Sequence, residues 1–222
     1  MLVAIEGIDG SGKGTQTTLL AERLNALGKE VKIFRFPQYE DTFFGREVGH
    51  YLNGDYGSLD AVPAKFSALL YALDRFQALK NINNCLDEGA IVICDRYTPS
   101  NIAHQSARVD GKDSVEIQNW IETVEYKILG LPEPDAVIFL DVEVDESQRL
   151  VAQKPKRSYT DKSHDLHEDS AGHLDGALLN FRKLAGRKGW HIINCAGGDA
   201  KIRPISEISD EIFTFVCGLL YE

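Results

Sequence analysis

Gly7-Ile8-Asp9-Gly10-Ser11-Gly12-Lys13-Gly14-Thr15 lies between an apolar run, Leu2-Val3-Ala4-Ile5, and a helical pattern that carries Leu19, Leu20, Leu24 and Leu27. The order reads strand, glycine loop, helix. Glycines at 7, 10 and 12 let the backbone turn tightly and approach a ligand closely, so that successive N–H groups converge on phosphate oxygens at a helix N-terminus. Lys13 adds a mobile cation for the outer phosphates. In the strict phosphate-loop pattern Ser or Thr directly follows the lysine. Here Gly14 takes that place and the hydroxyl comes one residue later, which suits Thr15 to a phosphate better than to direct Mg²⁺ ligation. Gly7, Gly10, Ser11, Gly12, Lys13, Gly14 and Thr15 form the expected phosphate-binding set.

Outward from the loop, the first helix runs from about Lys13 to Gly28, a residue suited to the position after a helix end. Val31 to Phe36 reads as a second strand, ended by Pro37 and followed by a loop at Gln38-Tyr39. Ligands bind at the C-terminal ends of strands in such sheets, so Phe36 to Tyr39 are expected at the same crevice. From Val62 to Leu86 the period is helical, with Phe66, Leu69, Leu73 and Phe76 as one apolar stripe. Tyr71 and Arg75 fall one turn apart, roughly opposite it. They read either as a stacking and hydrogen-bonding pair for a planar base, or as a surface pair with snorkelling side chains.

Ala90 to Cys94 is a continuous apolar strand, the pattern of burial on both faces, and ends in Asp95-Arg96-Tyr97. A carboxylate there is placed to hold Mg²⁺ through water, and Arg96 to fork onto a phosphate. Helical patterns follow near residues 99–107 and 114–129. Ala136 to Leu140 is another buried strand ending at Asp141, and a helix from about Asp145 carries Arg149. His191 to Asn194 and a helix over about Ile205 to Leu220 close the chain. The fold class is α/β: a three-layer, doubly wound sheet of five parallel strands flanked by helices. The polar segment of residues 154–171 breaks this alternation and reads as a mobile flap or as a solvated loop.

Over 222 residues no repeat, low-complexity block or linker divides the chain, which reads as one domain, residues 1–222. The formal net charge of −10 argues against nonspecific nucleic-acid binding while allowing local cationic pockets. No apolar run approaches the roughly 18 residues that span a membrane. The first strand begins at once and contains Glu6, leaving no room for a signal peptide, and a cytoplasmic location is expected. Cys85, Cys94, Cys195 and Cys217 lack metal-ligand spacing and read as reduced thiols, and the six histidines show no zinc-site spacing.

With these pieces in place the chain resembles the thymidylate kinases, within the phosphate-loop nucleoside monophosphate kinases. Four stretches carry the resemblance: the glycine loop with Asp9, Phe36-Pro37-Gln38-Tyr39, Tyr71-Ala72-Leu73-Asp74-Arg75-Phe76, and Asp95-Arg96-Tyr97-Thr98-Pro99-Ser100-Asn101-Ile102-Ala103-His104-Gln105. The resemblance implies ATP and dTMP as substrates and Mg²⁺ as cofactor. By it, Asp9 contacts the sugar 3′-hydroxyl and the acceptor-phosphate arginine, Phe36 and Tyr71 pack on thymine, and Arg75 bonds its O4. It also implies that Arg96 holds the acceptor phosphate, Asp95 is associated with Mg²⁺, Asn101 and Gln105 border the base, and Arg149 covers adenine. Pro37 and Ser100 belong to the same dTMP set, as does His104, which replaces the usual aromatic near C2′ of the sugar. Gln38 stands where many relatives carry arginine or another polar residue, so one acceptor-phosphate cation is expected to be missing, and Gly10 stands where some carry a catalytic arginine. The lid residues Lys154, Lys156 and Arg157 are then candidates to supply the catalytic cation, and Arg157 joins Lys13, Asp9 and Arg96 in the catalytic set without the sequence choosing among the three. Glu168, at the acidic end of the lid, is expected near substrate.

The implied reaction is ATP plus dTMP giving ADP plus dTDP, in a homodimer packed through helices of the 60 to 130 region. A same-fold kinase for another acceptor, such as dUMP or a deoxynucleoside, is the nearest alternative. A nucleotide-dependent switch is the alternative from another class.

Overall fold

The computed structural model describes residues 1–152, 172–197 and 202–220. The expected lid, residues 154–171 with Lys154, Lys156, Arg157 and Glu168, lies outside the described residues. The strands are β1 (Leu2–Glu6), β2 (Val31–Arg35), β3 (Ile91–Asp95), β4 (Ala136–Asp141) and β5 (Trp190–Asn194), all parallel in the order β2-β3-β1-β4-β5. This is the expected doubly wound sheet. Strand alternation assigns its two faces. Val3, Ile5, Ile93, Ile138 and Leu140 pack with Leu20 and Leu24 of α1 (Lys13–Ala26) and with Ile208, Ile212 and Val216 of α8 (Ile205–Leu220). Leu2, Ala4, Val92, Cys94 and Val137 point the other way, onto Ala78 and Ile82 of α3 (Ala64–Asp87). Burial on both faces explains the unbroken apolar runs of β1, β3 and β4.

The remaining helices are α2 (Phe43–Asn53), α4 (Thr98–Ser106), α5 (Gly111–Glu122), α6 (Val144–Val151) and α7 (His173–Leu184). The helix expected over residues 114–129 ends at Glu122 and continues as a π-helical segment, Thr123–Ile128. Helix α2 is capped by the Thr42 hydroxyl, which accepts from the Gly45 amide at 2.8 Å. All four cysteines are unpaired, as expected of reduced thiols.

The stripe on α3 is a correction. Phe66 is 50% and Phe76 44% exposed, whereas the opposite face, with Ser67, Ala68, Asp74, Arg75 and Ala78, is the buried one. Arg75, read from spacing alone as a possible surface side chain, is 2% exposed. The polar residues turn inward because partners wait for them there, and the apolar ones are left outside.

Candidate active site

The glycine loop forms at the C-terminal end of β1 and opens α1. Gly7, Gly10 and Gly12 all have positive φ, at 147°, 84° and 91°. A Cβ on Gly7 would lie 2.7 Å from Ser11 Oγ and 2.9 Å from the Leu140 carbonyl, so the loop closes against β4 only with glycine there. Lys13 is buried and folds back over the loop, donating to the carbonyls of Gly7 at 3.0 Å and Ile8 at 2.8 Å. Burial, aided by the charge on Arg96, lowers its pKa to about 7 against the pull of Asp9, Asp95 and Glu6. A bound polyphosphate would reverse that balance and hold the lysine charged. Thr15 is exposed at the start of α1, open to a phosphate.

Arg96 follows β3 with φ 67°, a left-handed conformation that a non-glycine residue adopts at a cost of about 1–2 kcal/mol. Its Nη2 donates to Asp9 Oδ1 at 2.6 Å and its Nη1 to Ser100 Oγ at 3.1 Å. Ser100 in turn donates to Glu6, which also accepts from the Tyr97 amide at 2.7 Å. Burial works against the charge on Arg96, but Asp9, Glu6 and Asp95 outweigh it and raise its pKa. The same burial lifts the Glu6 carboxyl to about 7, despite the bonds from Ser100 and Tyr97 and the charge of Arg96. Glu6 is a site residue that its sequence position, one polar residue ending an apolar strand, did not disclose.

Asp95 is partly exposed, and its Oδ2 lies 3.3 Å from where a Gly14 Cβ would stand. A Ser at position 14 would therefore press on this carboxylate. Asp9 and Asp95 bring hard oxygen donors to the mouth of the loop, a set that fits a Mg²⁺-nucleotide. Helix α6 packs on the loop from the other side: the Ser147 hydroxyl donates to the Asp9 carbonyl. A Cβ on Gly10 would come 2.3 Å from the Ser147 carbonyl, so this loop has no room for the arginine some relatives place there. Arg149, two residues on, is exposed on α6 and held by Glu146 at 2.6 Å.

Across the crevice, Phe36 is buried at the end of β2, with the Arg75 guanidinium 6.0 Å from its ring centroid. The Phe36–Pro37 bond is cis. Asp74 of α3 holds the following turn, accepting from the Gln38 amide at 3.0 Å and from the Thr42 hydroxyl. Tyr71 is half-buried and meets Tyr51 edge-on at 6.4 Å. Arg75 donates twice to Glu125, both bonds at 2.6 Å. Burial opposes the Arg75 charge, but Glu125, through its charge and bonds, overrides it and keeps the pKa raised.

Asn101 is buried on α4, its NH₂ donating to the Ala68 carbonyl at 3.0 Å and to Glu125 at 2.7 Å. Gln105 turns its carbonyl to Ser67 and Arg108, at 2.7 and 2.9 Å, tying α4 to α3. His104 is buried with its Nδ1 3.3 Å from Nε2 of His173, the first residue of α7. Asp74, Glu125 and His173 carry no reading in the sequence, because each acts on residues remote along the chain. Asp9, Lys13, Ser100 and Arg96 are brought together around the loop, Arg75 and Asn101 around Glu125.

A phosphate loop, a second arginine site facing it and a polar pocket behind an aromatic wall describe a nucleotide kinase fold. The family model for thymidylate kinase matches residues 5–178. This chain belongs to the thymidylate kinase family, whose members phosphorylate dTMP. It is 36% identical over 142 residues to the thymidylate kinase of Mycobacterium tuberculosis strain H37Rv, covering 64% of this chain and 66% of that one, just under two thirds of its length. With the probable thymidylate kinase of Pyrococcus abyssi it shares 32% identity over 217 residues, covering 96% and 94% of the two chains. The thymidylate kinase structure from Candida albicans shares the fold, with a TM-score of 0.74 at 23% identity over 97% of this chain and 90% of that one. Among the described residues no helix is long and apolar enough to cross a membrane.

Proposed function

We propose that this chain transfers the γ-phosphoryl group of ATP to the 5′-phosphate of dTMP, giving ADP and dTDP on the way to dTTP. The observation that carries this reading is the Asp9–Arg96 pair at 2.6 Å beside the buried Lys13: a loop for a donor polyphosphate and a cation for an acceptor phosphate share one floor. The attacking oxygen belongs to a phosphate whose second pKa is near ~6, so it is largely deprotonated at neutral pH and needs no general base. Catalysis is then alignment and charge neutralisation. Lys13 and the loop amides hold the donor phosphates, Arg96 holds the acceptor, and Asp9, anchored on Arg96, receives the sugar 3′-hydroxyl. Phe36, Pro37 and Tyr71 flank the base, Arg75 and Asn101 meet its polar edge, and Gln105 and His104 border the base and sugar from α4. Arg149 lies over the adenine. Asp95, with Asp9 beside it, would hold Mg²⁺, which would neutralise charge on the donor phosphates. A lid cation, Arg157 or its neighbours Lys154 and Lys156, completes the set.

The same reading makes the protein a homodimer in the cytoplasm, a setting that suits four unpaired cysteines. The exposed Phe66 and Phe76 on α3, with half-buried Leu69 and Leu73 between them, support a face covered by a second copy.

ADP release from Mg²⁺-ATP is measured with dTMP, dUMP, ribo-TMP, dCMP, AMP, thymidine or no acceptor. Strong stimulation by dTMP, weak by thymidine and AMP, is expected. Equal rates with dTMP and ribo-TMP would remove the sugar gate at His104. No stimulation by any acceptor would leave a nucleotide-dependent switch in place of a kinase.

A further inference from the structure

Glu125 lies on the π-helical segment behind the base pocket and is fully buried. Such segments are often found at functional sites. Its carboxylate accepts four hydrogen bonds: from Arg75 Nε and Nη2, from Thr98 Oγ1 at 2.8 Å and from Asn101 Nδ2 at 2.7 Å. One group thus grips both side chains that meet the polar edge of the base. Stability alone does not call for it, since a buried ion pair is often no more stabilising than apolar residues of the same volume.

The grip leaves Asn101 one orientation. Its NH₂ faces two acceptors, the Ala68 carbonyl and Glu125, and a reversed amide would set oxygen against oxygen at both. The Asn101 oxygen is therefore turned away from them, buried and with no hydrogen-bond partner among the described residues. A buried acceptor in that state is costly until a donor reaches it. Arg75, bonded to Glu125 through Nε and Nη2, keeps Nη1 as a further donor. An acceptor beside a donor is the complement of a pyrimidine with N3–H next to a C4 carbonyl. Cytosine presents the reverse, an N3 lone pair next to an amino group, and would meet acceptor with acceptor and donor with donor.

We propose that Glu125 is a positioning residue for base specificity: it holds Asn101 as acceptor and Arg75 as donor, so that a 4-keto pyrimidine monophosphate is taken and a cytosine nucleotide refused. The inference rests on the pyrimidine edge lying against Arg75 and Asn101. In Glu125→Gln an amide oxygen in the place of Oε1 still accepts from Arg75 Nη2 and Asn101 Nδ2 together, while the new NH₂, in the place of Oε2, meets the Thr98 hydroxyl but opposes the Arg75 Nε–H. Asn101 keeps its orientation and Arg75 loses one of its two anchors. In Glu125→Asp the carboxylate survives but is too short to serve both partners fully.

The test is kcat/KM for dTMP and dCMP, with KM for ATP as internal reference. Glu125→Gln, by loosening the Arg75 donor, is expected to lower the dTMP:dCMP ratio about tenfold with little change in KM for ATP. Glu125→Asp is expected to keep the ratio within about threefold while KM for dTMP rises roughly tenfold. If Glu125→Gln loses turnover on both acceptors alike and keeps the native ratio, the residue is structural only and the proposal is overturned. Should that variant fail to fold, Glu125→Asp decides: a collapsed ratio, or an unchanged KM for dTMP, overturns it. Asn101→Ala separates the premise, because an unchanged KM for dTMP there means that the base does not lie against Asn101 at all.

Discussion

The carboxyl of Glu6 accepts from the Tyr97 amide and the Ser100 hydroxyl, yet burial outweighs these bonds and the nearby Arg96 and moves its titration from 4.5 to about 7. Between those pH values the folded chain binds this proton and the unfolded chain has released it. The stabilisation it gives is therefore complete below pH 4.5 and is lost as pH rises through about 7. Gln presents nearly the pattern of a protonated Glu here, an oxygen for the Tyr97 amide and a donor for Ser100. Glu6→Gln should match the parent in thermal or urea unfolding near pH 4.5 and exceed it by about 2–3 kcal/mol at pH 8. A stability difference that is flat across that range would show that Glu6 stays ionised in the folded protein. Neither Glu6 nor Glu125 was legible in the sequence. Glu6 meets Ser100 across 94 residues and Glu125 meets Arg75 across 50, and no local spacing reports such a pairing. Lys13 and Asp9 were legible because the short glycine loop fixes their backbone, and Arg96 because it ends a buried apolar strand.

At the scale of elements, the junction that matters most is α6 on the phosphate loop. Gly10 has φ 84° and its missing Cβ would fall 2.3 Å from the Ser147 carbonyl, a backbone atom that moves only with the helix. Gly10→Ala therefore strains the loop and displaces α6 together. A stability loss of about 1–3 kcal/mol and a KM for ATP raised tenfold or more are expected, with dTMP affinity by calorimetry changed far less. An unaltered KM for ATP would mean that α6 does not set the loop. Elements were readable wherever burial is simple. Strands β1, β3 and β4 announced themselves as apolar runs because both faces of the sheet are covered there, and α1 by the glycine loop before it and Gly28 after it. The helix α3 was placed correctly but turned the wrong way, since Asp74 and Arg75 face inward toward Thr42 and Glu125. The π-helical segment Thr123–Ile128 has the composition of an ordinary helix, and only its contact with Arg75, Asn101 and Thr98 distinguishes it.

For the whole molecule, the apolar stripe of α3 is a surface that the single chain leaves unfilled. Its half-buried residues Leu69 and Leu73 are flanked by the exposed rings of Phe66 and Phe76, and Tyr56 meets Phe66 edge-on at 6.5 Å, extending the apolar area toward the end of α2. The opposite face of the same helix turns Asp74 onto the Gln38 amide and Arg75 onto Glu125. A partner pressed on the stripe would thus brace the helix that positions Arg75, the arginine proposed to meet the base, and the Gln38 turn, linking assembly to the proposed acceptor binding by a single rigid element. Light scattering behind size exclusion should give twice the 24.7 kDa chain mass for the parent protein. Phe66→Glu with Phe76→Glu should return it to the monomer mass, since two carboxylates would have to be desolvated in an apolar contact. If bracing matters, the monomer should bind ATP as the parent does while KM for dTMP rises severalfold. A double variant that remains dimeric would place the contact elsewhere, and a monomer with native dTMP kinetics would show that α3 needs no support from a second copy.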